Sequence, residues 1–61
     1  MKLSDFTELI TSDTKVVVED EAGDIYEEYV GNEFYLCDCK YLSREIVNIS
    51  SGYYQIGVTI R

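Results

Sequence analysis

The 61-residue sequence predicts an α+β domain, in which a short N-terminal helix packs on an antiparallel sheet of about four strands arranged as two hairpins. Three observations lead there. Apolar residues recur at helical spacing only within the first ten positions. The runs "KVVVED" and "YYQIGVTI" are rich in β-branched and aromatic residues. Glycine-bearing turns, at Gly23 and in "SSG", sit between strand-like segments. With no proline, linker or internal repeat, residues 1–61 read as one domain.

The helix comes first. Ser4 or Asp5 can cap its start, and Glu8 stands three residues after Asp5, where a capping box needs an acid. Leu3, Phe6, Leu9 and Ile10 then share one face, and the polar cluster from Thr11 to Thr14 ends the element. Helices of two or three turns are marginal unless an apolar face is packed. The strand "KVVVED" follows, then a turn at Glu21-Ala22-Gly23-Asp24, then the return strand "DIYEEYV". That return strand alternates imperfectly, because Glu27 shares a face with Ile25 and Tyr29. A bulge near Glu27-Glu28 is expected to restore the register.

Gly31-Asn32 marks a break. Residues 33–43 fit a strand, a short helix or a covering loop equally well. "REIVNI" is a strand, "SSG" a hairpin turn, and "YYQIGVTI" the last strand, with Tyr54, Ile56, Val58 and Ile60 on one face. A four-stranded sheet has two open edges. The C-terminal strand is apolar enough to pair with another copy, so homo-oligomerisation is expected.

Charge narrows the partners. Twelve acids against five bases give −7, densest between Glu19 and Glu33. Nucleic acid and anionic membranes are bound by neutralising phosphates with Lys and Arg, so direct contact with either is not expected. A basic protein surface would be attracted. The same charge also serves solubility in a small domain, which is the plainer explanation. At 46% hydrophobic, with eight aromatic residues, the chain is too apolar for a disordered acidic tail. A chain this short is near the lower limit for folding alone, and gains from association. No apolar run approaches a membrane span, and "MKLSDFTELI" does not read as a signal peptide. A cytoplasmic protein with reduced cysteines is the expectation.

Chemistry-bearing patterns are few. In "DEAGDIYEE" the glycine precedes the acids it should follow in a calcium loop, and strand alternation would separate the carboxylates. Cys37-Asp38-Cys39 offers two thiolates and the chain has no histidine, so four zinc ligands would require two copies. Two small apolar side chains on an extended segment explain the pair as well. The absence of histidine removes the commonest general base, and no phosphate loop or activated nucleophile is present. No catalytic residue, metal ligand or cofactor is therefore expected. The expected binding residues are Glu19, Asp20, Glu21, Asp24, Glu27, Glu28 and Glu33, with Tyr26 and Tyr29 among them. Tyrosine favours interfaces because it is large, stiff and polar at its tip.

The segments "MKLSDFTELI", "SDTKVVVEDEAGDIYEEYVG" and "LSREIVNISSGYYQIGVTI" resemble small uncharacterised proteins of phages and prophages of Firmicutes. The resemblance implies an accessory phage protein in a host bacterial cytoplasm, and carries no catalytic residues. In that setting the expected function is stoichiometric inhibition of a host defence protein, as by an anti-CRISPR. Carboxylates of the acidic hairpin would stand in for phosphates on a basic, nucleic-acid-binding surface. The alternatives are an oligomeric sponge for a nucleotide signal, with tyrosines on the base and Lys40, Arg44 or Arg61 on the phosphate, and a structural or interaction module of the phage.

Overall fold

Three consecutive valines, Val16, Val17 and Val18, are all buried, which marks their strand as central. The structure is a computed structural model and describes residues 1–10, 13–31, 33 and 39–61. Helix α1 (Leu3–Leu9) leads into strands β1 (Lys15–Glu19) and β2 (Ile25–Val30). A single-turn helix α2 (Cys39–Leu42) then precedes β3 (Ile46–Gly52) and β4 (Gln55–Ile60). The strand order is β2-β1-β4-β3. Both expected hairpins form, and a short helix covers their sheet.

The two hairpins join through β1 and β4, which run parallel, so the sheet is mixed. This brings the most apolar strands together, with Val16 beside Ile56 and Val18 beside Val58. It also makes β2 and β3 run in the same direction. Val30, where β2 ends, and Ile46, where β3 begins, therefore lie at opposite ends of the sheet, with α2 between them in the chain. The C-terminal strand is interior and cannot offer an edge. The edges are β2 and β3.

Helix α1 begins earlier than its sequence suggested. Lys2 is the extended residue before the helix, and its N–H donates to Asp5 Oδ2 at 3.0 Å, so Asp5 sits inside the first turn as the bracing acid. Ser4 therefore lies inside the helix and does not cap it. The cause is tertiary: Lys2 is held extended by a bridge to Glu45, with Leu3 N–H bonded to the Arg44 carbonyl at 3.0 Å. Leu3 and Phe6 are buried as expected, but Leu9 is 67% exposed. At 100° per residue, Leu9 is turned about 60° past Phe6, while Thr7 falls on the covered side of Leu3. Thr7 is buried, and its hydroxyl donates to the Ser4 carbonyl at 2.8 Å.

Leu3, Phe6, Val16, Val18, Tyr29, Val58 and Ile60 form the core, with Ile10, Tyr26, Tyr41, Leu42, Ile46 and Ile56 packed against it. All lie on the helix side of the sheet. The other side carries Lys15, Val17, Glu19, Glu28, Val30, Asn48, Ser50, Gln55, Gly57 and Thr59, by the pairing registers.

The bulge in β2 exists, but it lies closer to the turn than Glu27-Glu28. Val18 pairs with Glu27 and Glu19 with Ile25, which leaves Tyr26 as the additional residue. Shifting it there keeps Tyr29 beside Val16 in the core and lets Tyr26 also turn toward the helices. The second turn is displaced as well. Ser50 to Gly52 belong to β3, and Tyr53-Tyr54 make the turn. That register sets Ile49 against Val58 and Ile46 against Ile60. A turn at "SSG" would have slid Val58 toward Arg44, so matching apolar residues decided the register. Its cost appears at Tyr54, whose φ of 62° is unusual for a bulky residue. Cys37 and the strand-or-loop question for 34–38 lie outside the described residues, and α2 supplies the helix within that stretch.

Candidate binding face on the acidic hairpin

The β1–β2 hairpin is built around Asp20. Its Oδ1 accepts from the N–H groups of Ala22, at 2.9 Å, and Asp24, at 2.8 Å. Main-chain bonds from Asp20 N–H to the Asp24 carbonyl and from Gly23 N–H to the Asp20 carbonyl complete the turn. Gly23 takes φ 92°, which glycine adopts at little cost. Asp20 thus spends its carboxylate on the chain that bends around it.

The turn projects Glu21 and Asp24 into solvent. Glu21 reaches Arg61, with 3.5 Å between Oε1 and Nε, in an exposed pair that fixes little. Glu19 and Glu28 lie on the polar side of the sheet as diagonal neighbours across the strand pair, about 7–8 Å apart. Glu19 is half-buried and accepts from the Thr59 hydroxyl at 3.4 Å. Glu28 meets Lys15 at 2.9 Å. Glu33 is exposed and, with Lys15, Glu28, Tyr29 and Val30, lines a surface cavity of about 330 Å³ at the far end of the hairpin. Two carboxylates and one ammonium around that cavity leave it net negative.

Glu27 is separated from these. Paired with the core residue Val18, it lies on the helix side at the β2 edge, half-buried. Tyr29 does not present its ring outward either, since it is 6% exposed and belongs to the core. Tyr26 is half-buried. Of the nine expected residues, then, Glu19, Glu21, Asp24, Glu28 and Glu33 gather on the tip and the polar side. Asp20 shapes the turn, and Tyr26, Glu27 and Tyr29 face the helices.

An arrangement that sequence reasoning did not foresee lies on that helix side. Tyr26 stacks on Tyr41, with ring centres 4.9 Å apart and planes 10° from parallel. Arg44 covers the Tyr26 ring at 6.0 Å, and Lys40 covers Tyr41 at 5.1 Å. Arg44 Nε also donates to the Arg61 carbonyl. The four side chains stack in the order Arg44, Tyr26, Tyr41, Lys40, which pins α2 against the bulge of β2. With the rings facing each other and cations over their outer sides, this tyrosine pair is a packing device. Nothing in the spacing of residues 26 and 41 signals it, because the contact depends on how the 31–45 connection returns.

Among the described residues, no three Cys, Asp or Glu side chains converge so as to hold a metal ion, and no helix is long and apolar enough to cross a membrane. The fold and its charged hairpin define a small α+β domain with one markedly acidic edge. No protein-family model matches the chain, and no curated protein or solved structure is significantly similar to it.

Proposed function

We propose that this chain acts by binding, with the tip and polar side of the β1–β2 hairpin laid on a basic surface of another protein. The observation that carries the reading is the spread of Glu19, Glu21, Asp24, Glu28 and Glu33 along a hairpin whose turn is braced by Asp20, from its tip over the polar side to its far end. A braced hairpin presents its carboxylates with little ordering cost on association, and acidic charge speeds encounter with a basic groove. The partner of matching chemistry is a nucleic-acid-binding protein, whose groove the hairpin would occupy in place of phosphates. The likeness of the sequence to small phage and prophage proteins supports a host defence protein as that partner, with stoichiometric inhibition as the outcome.

The test uses the tagged chain and a variant carrying Glu21→Lys, Asp24→Lys and Glu28→Lys as baits in a bacterial host extract. Wild type should retain a basic nucleic-acid-binding protein, release it as salt rises, and compete with nucleic acid for it. At roughly 1 kcal/mol per reversed site, the triple variant should bind that protein about a hundredfold more weakly. Equal retention by the variant, or a complex in which nucleic acid stays bound, overturns the reading.

A further inference from the structure

The two edges of the sheet are chemically opposite. On the β2 edge stand Glu27, Glu28 and the bulge at Tyr26, the devices that keep sheet edges from pairing. The β3 edge carries no charge, and its one irregularity, at Val47 between the pairs of Ile46 and Asn48, adjoins the end of the strand and leaves Asn48–Gly52 regularly paired. From Ile46 to Ile60 there is no charged residue, in a chain that is 28% charged overall. Six of the seven residues of β3 are exposed, Ile49 and Val47 among them.

Part of that edge is already occupied. Ile46 N–H donates to the Met1 carbonyl at 2.8 Å and Leu3 N–H to the Arg44 carbonyl at 3.0 Å, so Met1–Leu3 pairs with residues 44–46. From Val47 to Gly52 the outer side pairs with no described strand. In an antiparallel edge strand, every second residue turns its N–H and C=O away from the sheet. At the end of this run stands the Tyr53-Tyr54 turn, its rings 88% and 85% exposed and in edge-to-face contact at 5.0 Å.

Charge selects the occupant. Two copies at −7 each repel wherever their acidic parts approach. The strand order puts the uncharged hairpin at the opposite edge from the acidic one, so copies meeting along β3 hold their acidic hairpins farthest apart. A basic partner would be drawn to the other edge instead. We propose that β3 is a self-association edge. Two copies pair antiparallel through Asn48–Gly52 about a two-fold axis near Ser50, and continue the sheet to eight strands with an acidic hairpin at each end. This inference stands apart from the proposed function and fails or holds on different measurements.

Sedimentation equilibrium of the full chain tests it, between about 10 µM and about 1 mM and at low and high salt. The mass should rise from 7.0 kDa toward twice that value, and salt should strengthen the dimer by screening like charges. The complex with a basic partner should weaken in the same salt series, so the two readings cannot be confused. Ile49→Lys sets a charge in the middle of the edge and should weaken the dimer at least tenfold. Asn48→Lys brings the same charge to a side chain that is already polar and exposed, and should do the same even where Ile49→Lys disturbs folding. Glu28→Lys, on the other edge, should leave the dimer intact. A mass fixed at 7.0 kDa throughout, a wild-type dimer in Asn48→Lys, or a dimer lost in Glu28→Lys overturns the proposal.

Discussion

Replacing Asp20 separates the two jobs an acid can have in this hairpin. Asp20→Ala removes the acceptor of two main-chain bonds, at 2.9 and 2.8 Å, from the turn. Hydrogen bonds contribute about 0.5–1.5 kcal/mol each. Both N–H groups sit at an exposed turn where water can replace the carboxylate, so the loss should be about 1–2 kcal/mol. For a chain of this length, total stability is roughly 3–9 kcal/mol, at about 0.05–0.15 kcal/mol per residue. The variant should therefore melt about 5–15 °C below wild type, taking about 4–8 °C per kcal/mol. Asp20→Asn keeps the amide oxygen as acceptor and removes only the charge. It should stay within about 0.5 kcal/mol of wild type and bind a basic partner nearly as well, because this carboxylate is already engaged by two N–H groups of the turn. Thermal and urea unfolding followed by circular dichroism measure both variants. If Asp20→Asn falls as far as Asp20→Ala, charge and not the turn bonds is responsible. An unchanged Asp20→Ala would show that the turn holds without them.

Two further substitutions probe the register of the fold. Leu3→Ala opens a cavity under α1 and should cost about 2–5 kcal/mol, whereas Leu9→Ala, on the exposed side of the same helix, should change stability by under about 0.5 kcal/mol; urea unfolding of the pair checks which face packs. Tyr54→Gly should raise the melting temperature by several degrees, since a bulky residue at φ 62° carries about 1–2 kcal/mol of strain that glycine avoids. A lower melting temperature, measured at a concentration where the wild type is monomeric, would show that the exposed tyrosine ring contributes more than its backbone costs.

Local chemistry was legible in the chain. The valine run, the alternation of Ile56, Val58 and Ile60, and Gly23 at the turn each follow from a period or a backbone preference that few residues decide. The clustering of acid on the first hairpin was equally plain. Its division was less so, because a bulge moved by one residue changes which acids lie outside. Placed opposite Val18 and Glu19, the bulge leaves Glu27 beside the helices and Tyr29 in the core.

What the chain alone determined about this protein is its class: one short helix, two hairpins, and a charge gradient from an acidic pair of strands to an uncharged pair. Tertiary structure decided which strands meet and which stay open. Parallel pairing of β1 with β4 buries valine against isoleucine and valine, and in doing so encloses the C-terminal strand and exposes β3. Pairing between hairpins is set by contacts distant in sequence, whose gain depends on the whole apolar face being covered at once. The same holds for Tyr26 on Tyr41 and for Met1–Leu3 beside Glu45. No window of neighbouring residues contains both partners, so only the folded chain shows that the acidic and uncharged edges lie at opposite ends of one sheet.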